Sequence, residues 1–318
     1  MLRLPLRPSL AALALTAAPA LADPPAVVVD IAPVHALVTQ VMAGIATPAL
    51  LLDQEADPHA VQLRPSQARM LADADLMIWV GPALEPWLAR LADGATADQI
   101  VLMEAPATLL RDFDDHDADH AEDDDHEDDH EGDDHEEHDE DGHDHQGADP
   151  HVWLSPDNAR AWLGHFAATL AEADPENAEA YRANAAAAQA RIDALTARIE
   201  ARLAPVHGAE IVTFHDAFGY FADRFDISIA GTVRPGDAAT PSAAAMAELE
   251  EIVATHEIAC AFAEPAFDPG LIDAIAGDTG LRIGTLDPTG ALLNPGPDHY
   301  EATLMAVADS IADCLEAK

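Results

Sequence analysis

Apolar residues recur along this chain in two alternating rhythms. Short β-branched runs are separated by longer stretches in which apolar positions return every three or four residues. The first rhythm is that of a buried strand, the second that of an amphipathic helix. Residues 26–30 (AVVVD) read as a parallel strand, and Pro33 opens a helical pattern through Val34, Leu37, Val38, Val41 and Met42 that Gly44 ends. Strands follow at 50–53, 75–80 and 100–103, with helices over 65–72 and from the Gly81-Pro82 turn to 92. Ser155-Pro156-Asp157 caps a helix to 170. Further on, strands are expected at 210–214, 227–230, 258–263 and 281–286. Helices are expected at 216–225, from the Thr240-Pro241 cap to 255, at 269–278 and at 299–315. Phe218, Phe221 and Phe225 share one face of their helix and read as core packing.

Between the two halves, residues 176–203 run for 28 positions without Gly or Pro, about 42 Å at helical rise. That is either one oversized helix on a single domain or a rigid connector between two. The β-α alternation that resumes beyond it favours the connector. The expected class is therefore α/β: two lobes, each a parallel sheet flanked by helices, joined by one long backbone helix. The corresponding boundaries are an N-terminal lobe over 23–173, the linker over 174–204 and a C-terminal lobe over 205–318.

Charge changes this picture at one place. Residues 112–145 hold 21 acidic residues and eight histidines with no Lys or Arg, so 112–147 cannot build a core and is expected to be a solvated loop. The histidines are His116, His120, His126, His130, His135, His138, His143 and His145. Carboxylate and imidazole are ligands of divalent transition metals, and the irregular spacing suggests weak auxiliary sites. The whole chain carries a formal charge of −44, and without the segment's acids 38 acidic residues still face 15 basic ones, or −23. Nucleic acid and anionic membranes are disfavoured as partners, whereas cations are favoured.

Residues 1–22 read as a cleaved secretory signal, with Arg3 and Arg7 before a short apolar run and Ala20-Leu21-Ala22 as the cleavage site. No later segment is suited to span a bilayer. In an exported protein, Cys260 and Cys314 favour a disulfide over two buried free thiols. Such a bridge closes a loop of about 50 residues and contributes roughly 4 kcal/mol.

His59, His151, His215 and Asp287 each follow a predicted strand or α/β unit, at the sheet edge where ligands bind. Three imidazoles and a carboxylate suit tetrahedral Zn²⁺. The same residues have blander readings. The repeated DPH at 57–59 and 149–151, and LDPTG around Asp287, are also turn sequences. His35, His165, His207, His256 and His299 are scattered singles that read as capping or surface residues.

Several motifs, taken in order, are more specific: LRPS after His59, the acidic His-rich insert, DPHVWLSP, the long helix, TFHDAFGYF, FAEPAF and GTLDPTG. Together with the leader they resemble the periplasmic zinc-binding proteins of zinc ABC importers, in the cluster of substrate-binding proteins with a rigid helical linker. The resemblance spans nearly the whole mature chain. It implies metal held between two lobes, with His59, His151 and His215 as ligands. Manganese-selective relatives have a carboxylate at the place of His215, so histidine there implies zinc. Some zinc members place a Glu before the first histidine, where this chain has Pro58; others use an Asp at the place of Asp287, and some leave a water. Asp287 is the expected fourth ligand. A disulfide like Cys260–Cys314 is also implied, as is an acidic insert at the cleft mouth.

The expected function is Zn²⁺ capture in the periplasm by a monomer that delivers it to an inner-membrane ABC permease, without enzymatic activity. The alternative is a secreted zinc-dependent hydrolase, with Glu264 as its base. Neither H-E-x-x-H nor a nucleophile elbow is present to support it. A third reading is a plain metal buffer acting through the loop.

Overall fold

The structure, a computed structural model, describes residues 23–54, 56–113, 147–234 and 242–317. The expected leader and the eight histidines of the acidic segment lie outside the described residues. In the first half, the elements are β1 (Val27–Val29), α1 (Ala32–Val41), β2 (Ala49–Leu50), α2 (Pro65–Ala72), β3 (Leu76–Trp79), α3 (Pro86–Ala92), β4 (Asp98–Val101) and α4 (Pro156–Ala173). The long helix α5 (Ala178–Leu203) follows. The second half holds β5 (Glu210–His215), α6 (Gly219–Phe225), β6 (Ser228–Arg234), α7 (Ala243–Thr255), β7 (Cys260–Ala263), α8 (Gly270–Thr279), β8 (Arg282–Thr285) and α9 (His299–Glu316).

Each half forms a four-stranded sheet, ordered β2-β1-β3-β4 and β6-β5-β7-β8, with every pairing parallel. The two sheets thus repeat one winding order. Parallel pairing requires crossovers, and the helices supply them. Strands β1 and β3 are buried at every position, as expected of strands covered on both faces.

Boundaries shift where local chemistry decides them. Helix α3 starts at Pro86 rather than at the Gly81-Pro82 turn, because the chain first turns inward and buries Glu85. Helix α6 starts at Gly219, since Ala217 donates back to the His215 carbonyl in a turn. Helix α7 is capped by Ser242, whose Oγ accepts the Ala245 N–H at 3.1 Å; Thr240 and Pro241 lie outside the described residues.

The long helix joins the lobes and packs along both. Tyr181, Ala185, Ala188, Ile192, Leu195, Ile199 and Leu203 are buried, at steps of three and four. That stripe belongs to one apolar core that also takes in β1, β3, α4, α6 and α9. A second cluster lies between the second sheet and helices α7 and α8. Polar side chains tie α5 to both lobes. Asn184 donates to the Val41 and Ala43 carbonyls, Arg191 pairs with Asp298 and Glu301, and Arg202 pairs with Asp309, Asp313 and Glu316 on α9. Asp174 holds the turn into α5, its Oδ2 accepting from Asn177 at 2.7 Å and from the Tyr181 hydroxyl at 3.0 Å. Cys260 and Cys314 form a disulfide that staples β7 to α9, with an S–S distance of 2.09 Å. The aromatic face of α6 packs inward: Phe218, Phe221 and Phe225 are all buried.

One buried pair works against this packing. Asp30, at the end of β1, accepts from the backbone N–H groups of Ile31 and Val80 at 2.6 and 2.7 Å. Burial pushes its carboxyl up to about 6, against the pull of those donors. Glu85 beside it is fully buried, and neither of its oxygens has a well-formed hydrogen bond among the described residues. Burial and the neighbouring Asp30 raise Glu85 well above the ordinary carboxylate range. Both folded values exceed the unfolded ones, so the folded chain holds more protons and the pair costs stability as the pH rises.

Replacing Glu85 with Gln is therefore expected to raise the melting temperature at pH 7.5. The advantage should shrink as the pH falls toward the range where the wild-type pair is protonated; calorimetry across that range checks it, and an advantage that grows on acidification contradicts it. Helix α5 contains neither Gly nor Pro, and sharp helix kinks need such a cause. Metal-free and metal-loaded protein should accordingly differ only modestly in lobe closure, measured as radius of gyration by solution scattering.

Candidate metal centre

Three Asp-Pro turns face one another where the two halves meet. In each, the aspartate Oδ1 accepts the N–H two residues on, the geometry that makes Asp a turn former. Asp57 holds His59 at 3.0 Å, Asp149 holds His151 at 2.9 Å and Asp287 holds Thr289 at 3.2 Å. The repeated DPH is thus turn chemistry and imidazole placement at once. Indoles fix two of these turns: Trp87 Nε1 donates to the Pro58 carbonyl at 2.8 Å and Trp153 Nε1 to the Pro288 carbonyl at 2.7 Å. His215 arrives differently, as the last residue of β5.

The turns and the strand end bring three imidazoles together. One ring nitrogen from each of His59, His151 and His215 lies within 4.8 Å of the other two. His151 and His215 are buried, and His59 is half-buried. The Nε2 atoms of His151 and His215 are 3.3 Å apart. Two nitrogens on one tetrahedral zinc at 2.0–2.1 Å also stand about 3.3 Å apart, so the spacing fits that ion.

The outward faces of two rings explain the inward pose. His151 Nδ1 lies 2.8 Å from Asp149 Oδ1, and His215 Nδ1 lies 2.5 Å from Glu264 Oε1. A carboxylate accepts only, so each Nδ1 carries the hydrogen, and in the neutral ring each Nε2 presents a lone pair inward. Two lone pairs facing at this distance repel, and a cation between them removes the repulsion. Such carboxylates also raise ligand basicity. Phe267, stacked on Phe214 with ring centroids at 4.9 Å, lies T-shaped to His215 with ring centroids at 5.5 Å. A cavity of about 330 Å³ opens onto the three histidines and is lined further by Trp153, Phe267 and Leu292.

Asp287 lines the same cavity but is not gathered with the three histidines. Its carboxylate holds its own loop: Oδ1 also accepts from the Gly290 N–H at 2.8 Å, and Oδ2 from Leu292 at 3.2 Å. His299, one of the scattered singles, is buried and braces that loop. Its Nε2 is 2.8 Å from the Thr289 carbonyl and its Nδ1 is 3.1 Å from that of Asn294. Gly290, at φ +70°, passes so close that a Cβ would stand 2.8 Å from the His299 Nε2. The other single histidines lie elsewhere: His35 on the Pro48 carbonyl, His165 on α4, His207 by Asp226 and His256 by Glu210.

Two participants were not assigned these roles by sequence reasoning. Asp149 read as a turn residue, and Glu264 entered only as the base of the hydrolase alternative. The available signal for Glu264 was its place at the end of β7, the strand adjacent to β5 in the sheet that carries His215.

Comparison with known proteins gives a consistent result. The sequence model of the family described as "ZnuA: Zinc-uptake complex component A periplasmic" matches residues 27–314. The chain is 45% identical over 315 residues to a "High-affinity zinc uptake system protein ZnuA" of Paracoccus denitrificans (strain Pd 1222), covering 96% of this chain and 97% of that protein. It is 35% identical over 304 residues to the protein of the same description from Brucella abortus (strain 2308), with 91% of each covered. Among solved structures, the "Crystal structure of 138-173 ZnuA deletion mutant plus zinc bound" superposes with a TM-score of 0.73 at 25% identity, over 93% of this chain and all (100%) of that one.

Changing Asp149 to Asn or Glu264 to Gln is expected to weaken Zn²⁺ binding about 10- to 100-fold, the usual cost of losing a group that orients a ligand. Competition against a chromophoric chelator measures it, and unaltered affinity in both variants would refute the orienting role.

Proposed function

The chain belongs to the ZnuA family, the periplasmic component A of zinc-uptake complexes, and from that premise we propose the residues and steps by which it works. It is a zinc-binding substrate-binding protein that serves an ABC importer. Zn²⁺ is its cargo. In our reading the ion binds between the lobes to the Nε2 atoms of His151 and His215 together with one ring nitrogen of His59. The observation that carries this reading is the 3.3 Å separation of the two Nε2 atoms, each backed by a carboxylate on its Nδ1. Asp287 completes the shell by turning from the Leu292 N–H toward the ion; an ionised carboxylate has acceptor capacity beyond its turn bonds. Residues 1–22 are removed on export, and the mature chain acts as a monomer that passes its ion to the membrane permease.

The protein performs no catalysis in this reading. A zinc hydrolase needs an open coordination site and a base near the metal-bound water. Glu264, the available candidate, has its Oε1 directed at the His215 Nδ1 and backbone N–H. The acidic segment adds weaker sites. Its eight histidines are irregularly spaced and define no fixed tetrahedral set, whereas its dense negative charge raises the local cation concentration in a salt-dependent way.

Substituting Ala for His151 or His215 is expected to abolish the tight site, read by chelator competition in protein lacking residues 113–146. Retained affinity would overturn the assignment. Asp287→Ala should weaken binding without abolishing it; unchanged affinity would give the fourth position to water. Deleting 113–146 alone should leave one tight Zn²⁺, lower the stoichiometry seen by calorimetry, and slow stopped-flow loading at low ionic strength. Equal stoichiometry and equal, salt-independent loading would remove the segment from metal capture.

A further inference from the structure

Arg111 stands at the neck of the acidic insert, where the chain leaves the first lobe and returns. The neck is a short antiparallel ladder: Asp112 bridges Ala148, Phe113 donates to the Gly147 carbonyl at 3.3 Å, and Asp149 donates to the Arg111 carbonyl at 2.8 Å. This places the Arg111 side chain beside the turn that carries His151. Its Nη1 lies 3.1 Å from Asp149 Oδ2, with the arginine side chain 13% exposed and the aspartate side chain 0%. The opposite oxygen of that carboxylate is the one that receives His151, from both its backbone N–H and its Nδ1.

The same guanidinium reaches the second half of the chain. Its Nε lies 3.1 Å from Asp223 Oδ2 on α6. The backbone N–H of Arg111 donates to the Tyr220 hydroxyl at 3.0 Å, and that hydroxyl donates to the Asp149 carbonyl at 2.9 Å. Helix α6 is shaped to accept the side chain. A Cβ on Gly219 would fall 1.8 Å from Arg111 Nη1 and 2.3 Å from its Cζ, so the guanidinium occupies the space that any larger residue there would fill. Three features of α6, at positions 219, 220 and 223, therefore address one arginine.

From this we propose that Arg111 is a positioning residue for the metal centre, holding the Asp149 carboxylate against His151 Nδ1 and tying that pose to the packing of α6. The inference rests on the proposed role of His151 as a zinc ligand. A carboxylate buried this fully needs a paired charge, and Arg111 provides it with a planar fork that fixes direction as well as charge. Without it, Asp149 loses its reason to stay in the interior and swings away from the ring. The imidazole then loses the acceptor that sets its tautomer and its angle toward the ion. Lysine keeps the charge but cannot span Asp149 and Asp223 with two fixed N–H vectors.

The test is a double-mutant cycle on the mature protein, with Zn²⁺ affinity read by chelator competition and the melting of the zinc-free form read in parallel. Arg111→Met is expected to weaken binding about 10- to 100-fold, as for other groups that orient a ligand through hydrogen bonds. Arg111→Lys should recover part of the loss. Arg111→Met/Asp149→Asn should bind no more weakly than Asp149→Asn alone, because both changes remove one interaction. Affinity in Arg111→Met within twofold of wild type, or losses that multiply in the double variant, would overturn the proposal. So would a lowered melting temperature with unaltered affinity, since that is the mark of a purely structural arginine. Should Arg111→Met fail to fold, Arg111→Lys and Asp223→Asn carry the test, with a weakened site expected in each and wild-type affinity in both overturning it. His151→Ala separates the two levels of argument. If that variant binds Zn²⁺ tightly, the ligand assignment fails and the inference with it; if it does not and Arg111→Met binds normally, the inference alone fails.

Discussion

The arrangement of this molecule depends on a pair of lone pairs made to face each other. His151 and His215 come from different halves of the chain, yet their Nε2 atoms stand 3.3 Å apart. Nothing apolar drives two imidazole nitrogens together. They are held there from behind, by Asp149 on one ring and Glu264 on the other. Each carboxylate fixes which nitrogen bears hydrogen and therefore which one points inward. Between neutral rings such an approach is unfavourable, and a divalent cation placed between them would relieve it.

Such a pose survives only if the two halves cannot drift. The continuous core along α5 meets that need. Its buried stripe packs with elements of both lobes, and its arginines bind the acidic side of α9. A bundle of tethers on one helix restrains the lobes more than a loop could. The three Asp-Pro turns do the same at short range: each is closed by a carboxylate-to-backbone bond, and two are locked by an indole N–H. Turns of this kind let a loop residue act with nearly the precision of a strand residue such as His215.

The buried Asp30–Glu85 pair shows what the first lobe tolerates. It sits at the end of β1 and before α3 and favours protonated carboxyls. Stability given up there is recovered in the apolar core and in the Cys260–Cys314 staple. The acidity of the chain as a whole favours cations near its surface, while the candidate site presents imidazoles, two of them with a carboxylate hydrogen-bonded behind the ring.

Much of this was written locally enough to be read from the chain. Runs such as VVV at 27–29 and the aromatic spacing of α6 declare strand and helix within a few residues, because periodicity is a near-neighbour property. The parallel pairing within both sheets follows from the alternation of such elements, and the strand-edge rule brought His59, His151, His215 and Asp287 into consideration before any coordinates. What only the tertiary structure decided is how those residues meet. Glu264 is 49 residues from the His215 it orients, and His151 is 64 residues from it. Arg111 is 112 residues from Asp223 and 38 from Asp149. Asp287 proved to hold its own turn with both oxygens, a use that its LDPTG sequence allowed equally. A sequence specifies which groups are available and on which edge they emerge. Their directions, their hydrogens and their partners are set by packing between distant segments, where no repeat along the chain records the contact.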